Sequence, residues 1–228
     1  MSQRTFIKYL IEKTYRPFLK RYLSKVRTFR YNGLVLQIEL GVFHPAFFYS
    51  TRILVSFLKE INVQGKRILE LGSGSALISM ILFRRGGIIT ASDISLTAIA
   101  NAKMNTMSNG IHVTFVHSDL FTELQKQYFD LIVINPPYFP GDPLTEEEYA
   151  WYCGNNFEYF QKLFDQLAFH LLPYGKAYMI LSEDCNIEAI TNMARNASFE
   201  MKEVYRERVC FEWNYIYDLV QLNKSDVY

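Results

Sequence analysis

Cysteine is scarce. The 228 residues include only Cys153, Cys185 and Cys210, an odd number, widely spaced and without a CxxC pair. That excludes a disulfide framework and a zinc ribbon, and it predicts a reducing compartment with no structural metal. Long apolar runs are also missing. No stretch reaches the ~18 residues of a membrane span, and the N-terminus has no unbroken apolar run ahead of a small-residue cleavage site. A cytoplasmic protein is therefore expected. Excess charge is absent too: 24 basic residues face 23 acidic ones, so the chain as a whole is not built to coat a polyanion. Half of the residues are hydrophobic and only 21% are charged, which rules out wholesale disorder. There is no internal repeat and no low-complexity tract.

Aromatics are abundant, with 16 Tyr and 18 Phe. The length suits one full domain and a short extension. Charge is unevenly placed. Residues 1–30 hold nine Lys or Arg against the single acid Glu12, which leaves 15 basic and 22 acidic residues in the remainder. Within 2–25, Phe6, Ile7, Leu10, Ile11, Tyr15, Phe18, Leu19, Tyr22 and Leu23 recur at helical steps, with a kink or restart expected at Pro17. This basic helix packs on the body with a solvated face or meets RNA, the ribosome or an anionic membrane surface. Asn32-Gly33 between apolar runs predicts a hairpin joining 27–31 to 34–40. We therefore divide the chain into a basic helical arm and hairpin over 1–40 and a main domain over 41–228. A helix is expected over 46–60. From residue 66 short buried strands alternate with helices: strands at 67–71, 88–93, 112–117, 131–135 and 175–182, and helices at 75–85, 95–108, 156–172 and 186–195. Two final strands near 201–209 and 213–222 can pair as a hairpin. This is the pattern of an α/β, doubly wound, mostly parallel sheet.

Ile68-Leu69-Glu70-Leu71-Gly72-Ser73-Gly74-Ser75-Ala76 reads as a strand, a Gly-x-Gly turn and a helix start. Such a turn lets a ligand approach the main chain closely. Asp93 closes the next strand, 19 residues after Gly74 and just before Ile94. A carboxylate there can accept both hydrogen bonds of a ribose diol. A nicotinamide dinucleotide would call for a small residue three places after Gly74, where Leu77 stands. Glu70 would repel a phosphate but suits an ammonium. S-adenosylmethionine, with its ammonium, sulfonium and ribose diol, matches two acids around a glycine loop. After the third strand, Asp119 can accept from an adenine amine, with Leu120 against the ring.

Asn135-Pro136-Pro137-Tyr138 ends the strand Phe129–Ile134. Two prolines remove two N–H donors, so this bend presents carbonyls. The Asn135 amide oxygen and the Pro136 carbonyl can together hold both hydrogens of a planar NH₂ group, and Tyr138 offers a flat wall. Held in this way, a weakly nucleophilic amide or aromatic amine is oriented toward the sulfonium methyl. No strong base is needed, because the proton becomes acidic only once the methyl has moved. His44, His112, His117 and His170 are read as structural.

Together these motifs resemble those of class I SAM-dependent methyltransferases. The Asn-Pro-Pro-Tyr form is similar to the HemK-type glutamine-N5 methyltransferases, which modify release factors, and to amino-methylating relatives that act on RNA or DNA bases. The resemblance covers about residues 40–222. It implies a seven-stranded sheet with an antiparallel last strand. Gly72, Ser73, Gly74, Asp93 and Leu120 would line the cofactor, and Asn135 to Tyr138 would hold the substrate NH₂. Ala150–Asn156 resembles the segment after the tetrad in small HemK members. Gly41–Pro45, with Thr51 further on, resembles the element that covers the cofactor. Where bacterial members carry Pro-Glu-Thr, this chain reads Pro45-Ala46-Phe47-Phe48-Tyr49-Ser50-Thr51. Three functions remain in play at this point: methylation of a protein glutamine, methylation of an rRNA or tRNA base amine (adenine N6 or guanine N2), and a non-catalytic module of the same fold that binds RNA or a partner.

Overall fold

The computed structural model describes residues 25–45 and 49–222. The predicted basic helix over 2–25 lies almost wholly outside them. The hairpin comes first, with β1 at Arg27–Tyr31 and β2 at Leu34–Ile38. Asn32 and Gly33 both take positive φ, 47° and 72°, as a two-residue hairpin turn requires. Then follow α1 (Tyr49–Leu58), β3 (Arg67–Leu71), α2 (Leu77–Arg84), β4 (Ile88–Asp93), α3 (Leu96–Ser108), β5 (Thr114–His117) and β6 (Phe129–Ile134). The chain continues through α4 (Glu158–Leu167), β7 (Leu171–Ser182), α5 (Ile187–Asn196), β8 (Phe199–Val209) and β9 (Glu212–Gln221).

The seven strands β3 to β9 form one sheet in the order β5-β4-β3-β6-β7-β9-β8. All pairings up to β7 are parallel; β9 runs antiparallel to both β7 and β8. The antiparallel last strand thus sits inside the sheet, and β8 forms the edge. The near-continuous apolar strands follow from burial on both faces. On one face Ile68, Leu131, Val133 and Ile180 join Leu34, Leu36 and Ile38 of the hairpin. On the other, Leu69, Leu71, Ile132 and Ile134 pack with Phe160, Leu163 and Phe164 of α4. Some boundaries differ from the sequence expectation. The helix expected over 156–172 yields after Leu167 to a 3₁₀ turn at Ala168–His170. Leu171 already pairs with Phe129, so β7 begins four residues earlier than expected.

The hairpin is bolted to α3 by a row of asparagines. Asn101 and Asn105 are buried one helical turn apart, and Asn109 follows one turn on at the helix end. Asn109 Oδ1 accepts from Val35 N–H and its Nδ2 donates to Val35 O. Asn105 does the same with Gln37 at 2.8 and 3.0 Å, and Asn101 Nδ2 also donates to Gln37 O. The side chains thus satisfy the open edge of β2. Asn105 reaches further, to Ser75 O at 3.3 Å, and so ties the hairpin to the glycine loop. Asn105→Ala should cost about 2–4 kcal/mol, from lost bonds and an unpaired Gln37 N–H; a shift in the urea midpoint checks this.

Candidate active site

Register alone assembles the site. Leu71 pairs with Ile134, Leu71 with Ser92, and Asp93 with His117. The residues that follow, Gly72, Asp93-Ile94, Ser118-Asp119 and Asn135, therefore meet side by side at the carboxyl ends of their strands. The gap between β3 and β6 is where strand order reverses, which is where open α/β sheets bind ligands. A cavity of about 530 Å³ opens there, lined by all the sequence-predicted residues: Glu70, Gly72, Ser73, Gly74, Asp93, Ile94, Asp119, Leu120, Asn135, Pro136, Pro137 and Tyr138. That volume is typical of small-molecule sites.

In the glycine loop Gly72 has φ +73°, and a Cβ built on it would meet nothing within 4 Å. The main chain there faces open cavity. Gly72 and Ser73 N–H groups donate to Ser92 O, both at 2.9 Å, which fixes the loop on β4. Ser73 Oγ is buried with no hydrogen-bond partner among the described residues, a polar atom left for a ligand in the cavity. Asp93 staples the loop: Oδ2 accepts from Gly74 N–H and Oδ1 from Ser95 N–H, each at 2.9 Å. Its remaining lone pairs are those a diol can use. Burial pushes its pKa up against these bonds. Ser95, not Asp93, caps α3 by accepting from Ala98 N–H.

Glu70 is 4% exposed. Its Oε2 accepts from Ser79 N–H at 2.8 Å and from the Ser79 hydroxyl, which caps α2 in place of Ala76. Oε1 makes no hydrogen bond among the described residues. Burial raises the Glu70 pKa to about 8, against the opposing pull of Ser79.

Leu120 adopts φ +51°, uncommon for a branched residue, and Ser118 Oγ donates to its carbonyl at 2.8 Å. The bend sets Leu120 against the cavity. Asp119 is ion-paired with Lys162 of α4, a partner that sequence reasoning missed because 43 residues separate the two. His117 Nε2 contacts Ile94 O at 2.8 Å, and His170 Nδ1 contacts Gln127 O at 2.9 Å.

At the tetrad, Asn135 Nδ2 donates to Ser50 Oγ at 3.3 Å and Thr51 Oγ1 at 3.2 Å. Asn135 Oδ1 has no partner among the described residues. The predicted Ala150–Asn156 segment lies directly beside the tetrad. Phe139 N–H donates to Trp151 O and Cys153 N–H to Phe139 O. Trp151 in turn meets Phe43 with ring centroids 5.5 Å apart, so the cavity-lining segments 41–45 and 150–154 touch each other. Nothing in the local sequence marks that aromatic pair.

A family model, the Methyltransferase small domain, matches residues 34–211. This chain belongs to that family. Among its relatives is a Methanocaldococcus jannaschii protein, by name a protein N5-glutamine methyltransferase. It is 28% identical over 189 residues, covering 78% of this chain and 95% of that protein. A release factor glutamine methyltransferase of Leptospira interrogans is 32% identical over 174 residues, 69% of this chain and 61% of that one. The chain spans only 24% of a bifunctional methyltransferase of Rickettsia typhi, at 32% identity over 145 residues and 62% of this chain. In structure it resembles the Thermus thermophilus 16S rRNA N2 G1207 methyltransferase, solved with AdoMet and guanosine. The TM-score is 0.64 at 19% identity, over 86% of this chain and 50% of that one. As a member of the Methyltransferase small family the protein is a SAM-dependent methyltransferase, and S-adenosylmethionine is its methyl donor. Its cavity fits that molecule. The open main chain at Gly72, the Ser73 hydroxyl and two carboxyl groups offer acceptors and donors, and among the described residues no cluster of cations lines the cavity to meet a phosphate. Among the described residues no helix is long and apolar enough to cross a membrane, and no group of three or more His, Cys, Asp or Glu could hold a metal ion.

Proposed function

We propose that this protein methylates the side-chain amide nitrogen of a protein glutamine, with a translation release factor as the first candidate substrate. Glu70, the Gly72–Gly74 loop, Asp93, Ile94, Asp119 and Leu120 hold S-adenosylmethionine, which supplies a methyl group on a sulfonium. Asn135 Oδ1 and the Pro136 carbonyl accept the two hydrogens of the acceptor NH₂, and Tyr138 walls its plane. Burial holds the Tyr138 hydroxyl well above its ordinary range, so Tyr138 stays protonated and acts as a wall rather than a base. The proton on the methylated nitrogen passes to water.

The observation that carries the choice of acceptor is the charge of the loop over the tetrad. Residues 139–158 contain Asp142, Glu146, Glu147, Glu148 and Glu158 and no Lys or Arg, and Asp142, Glu146 and Glu158 line the cavity. A phosphodiester chain entering there would meet like charge, whereas a polypeptide would not. The two relatives named for glutamine methylation support the same reading. A second reading, methylation of an RNA base amine, is favoured by the nine basic residues within 1–30.

Incubation with tritiated S-adenosylmethionine and release factors, ribosomal subunits or tRNA tests the proposal. Label is expected on a glutamine of protein. Label in RNA with none in protein would establish the second reading. No label anywhere, with the methyl donor still bound, would make the chain a non-catalytic binding module.

A further inference from the structure

An asparagine amide carries a donor and an acceptor on one plane, and only the acceptor can hold an NH₂ group. Left alone, the terminal torsion of the side chain is broad and roughly two-fold. With Nδ2 facing the acceptor, donor would meet donor and the nitrogen would be pushed out of line. Something must therefore fix which way the Asn135 amide faces.

The structure supplies two hydroxyls for this. Ser50 and Thr51 are consecutive residues in the first turn of α1, 8% and 6% exposed. They lie 85 and 84 residues before Asn135, and both accept from Nδ2. Nδ2 thus has two hydroxyl acceptors on the α1 side, while Oδ1 has no partner among the described residues and Asn135 lines the cavity. We propose that Ser50 and Thr51 are positioning residues for methyl transfer, anchoring Nδ2 so that Oδ1 faces the methyl-accepting nitrogen. They act through Asn135, and the inference rests on the reading that Asn135 Oδ1 accepts from the acceptor NH₂. It also gives the segments on either side of 46–48, residues 41–45 and 49–51, linked tasks. Gly41, Val42, Phe43, Pro45 and Thr51 line the cavity, and Thr51 with Ser50 orients the clamp.

The test compares the parent with Ser50→Ala/Thr51→Val, Thr51→Val and Thr51→Ser. In ¹⁵N spectra the Asn135 Nδ2 protons are identified by their loss in Asn135→Ala. They should exchange with solvent at least about tenfold more slowly than exposed asparagine amides in the parent, and freely in the double variant. Turnover is measured on whichever acceptor takes label. The double variant should lose roughly 10–100-fold in kcat with the Kd for S-adenosylmethionine within about twofold. Thr51→Ser, which keeps the hydroxyl, should stay within about threefold of the parent and Thr51→Val should not. The proposal is overturned if the folded double variant keeps kcat within about twofold, or if the parent's Nδ2 protons exchange freely. It is equally overturned if Thr51→Ser is as damaging as Thr51→Val and the loss appears in cofactor affinity. Should the double variant fail to fold, Thr51→Val against Thr51→Ser decides alone. The exchange measurement needs no acceptor. A wrong substrate assignment leaves slow exchange intact, and a wrong positioning assignment abolishes it.

Discussion

Asn135→Ala is expected to lower kcat by roughly 10²–10³-fold while the Kd for S-adenosylmethionine stays within about twofold. An amide or aromatic amine is a poor nucleophile because its lone pair is delocalised. As the methyl arrives, positive charge develops on nitrogen and its two N–H bonds become stronger donors. Acceptors already in place at that moment contribute most, since they need no reorganisation. In the clamp we propose, Oδ1 of Asn135 is such an acceptor, with its amide held through Nδ2. Alanine removes it and leaves the Pro136 carbonyl to hold one hydrogen. The cofactor side of the cavity rests on other strands: the glycine loop is fixed by Ser92 O and Asp93, and neither contact involves Asn135. The loss should therefore fall on the chemical step. Initial rates with tritiated methyl donor and calorimetry on the same preparation separate the two. A variant that binds the donor normally and turns over within about threefold of the parent would end the clamp reading.

Much of this arrangement is local in sequence, and that is why it was legible. The strands Arg67–Leu71 and Ile88–Asp93 occupy the residues expected, because each is a buried apolar run bounded by turn-forming residues. Asn32-Gly33 fixes its hairpin through positive φ. The cofactor and tetrad residues converge because parallel register puts the ends of neighbouring strands at one level. What was not legible depends on distant partners. The insertion of β9 between β7 and β8 is a choice of sheet edge, and no single segment encodes it. Lys162 reaches Asp119 from another layer. Ser50 and Thr51 look like ordinary first-turn residues until α1 is laid beside β6. The asparagine row did leave a trace, since Asn101, Asn105 and Asn109 recur at four-residue steps along the helix expected over 95–108 and just past its end. Polar residues at helical spacing identify a buried edge as well as a solvated face.

Glu70 should give the protein an unusual pH response. Its carboxyl titrates near pH 8 in the folded, ligand-free protein because burial disfavours the charge, whereas in the unfolded chain it ionises near its ordinary ~4.3. Between those values the folded state holds a proton that the unfolded state has lost. The group's contribution to stability is therefore complete below about pH 4.3 and falls away as pH rises toward 8. A cationic ligand reverses the preference, since an ammonium beside Oε1 favours the carboxylate. S-adenosylmethionine binding at pH 7 should accordingly release close to one proton per site, read by calorimetry in buffers of different ionisation enthalpy. Affinity should climb from pH 6 toward 8, then decline as the ligand's own α-amino group, with a pKa of ~7.7–8.0, loses its charge. Glu70→Gln keeps an oxygen for Ser79 but cannot ionise. The variant should melt higher than the parent at pH 8 without ligand, match it near pH 4, bind the donor roughly 10–100-fold more weakly and release no proton. Equal affinity and equal proton release in the two proteins would confine Glu70 to capping α2, and the ammonium of the cofactor would then have to be held by main-chain carbonyls of the glycine loop.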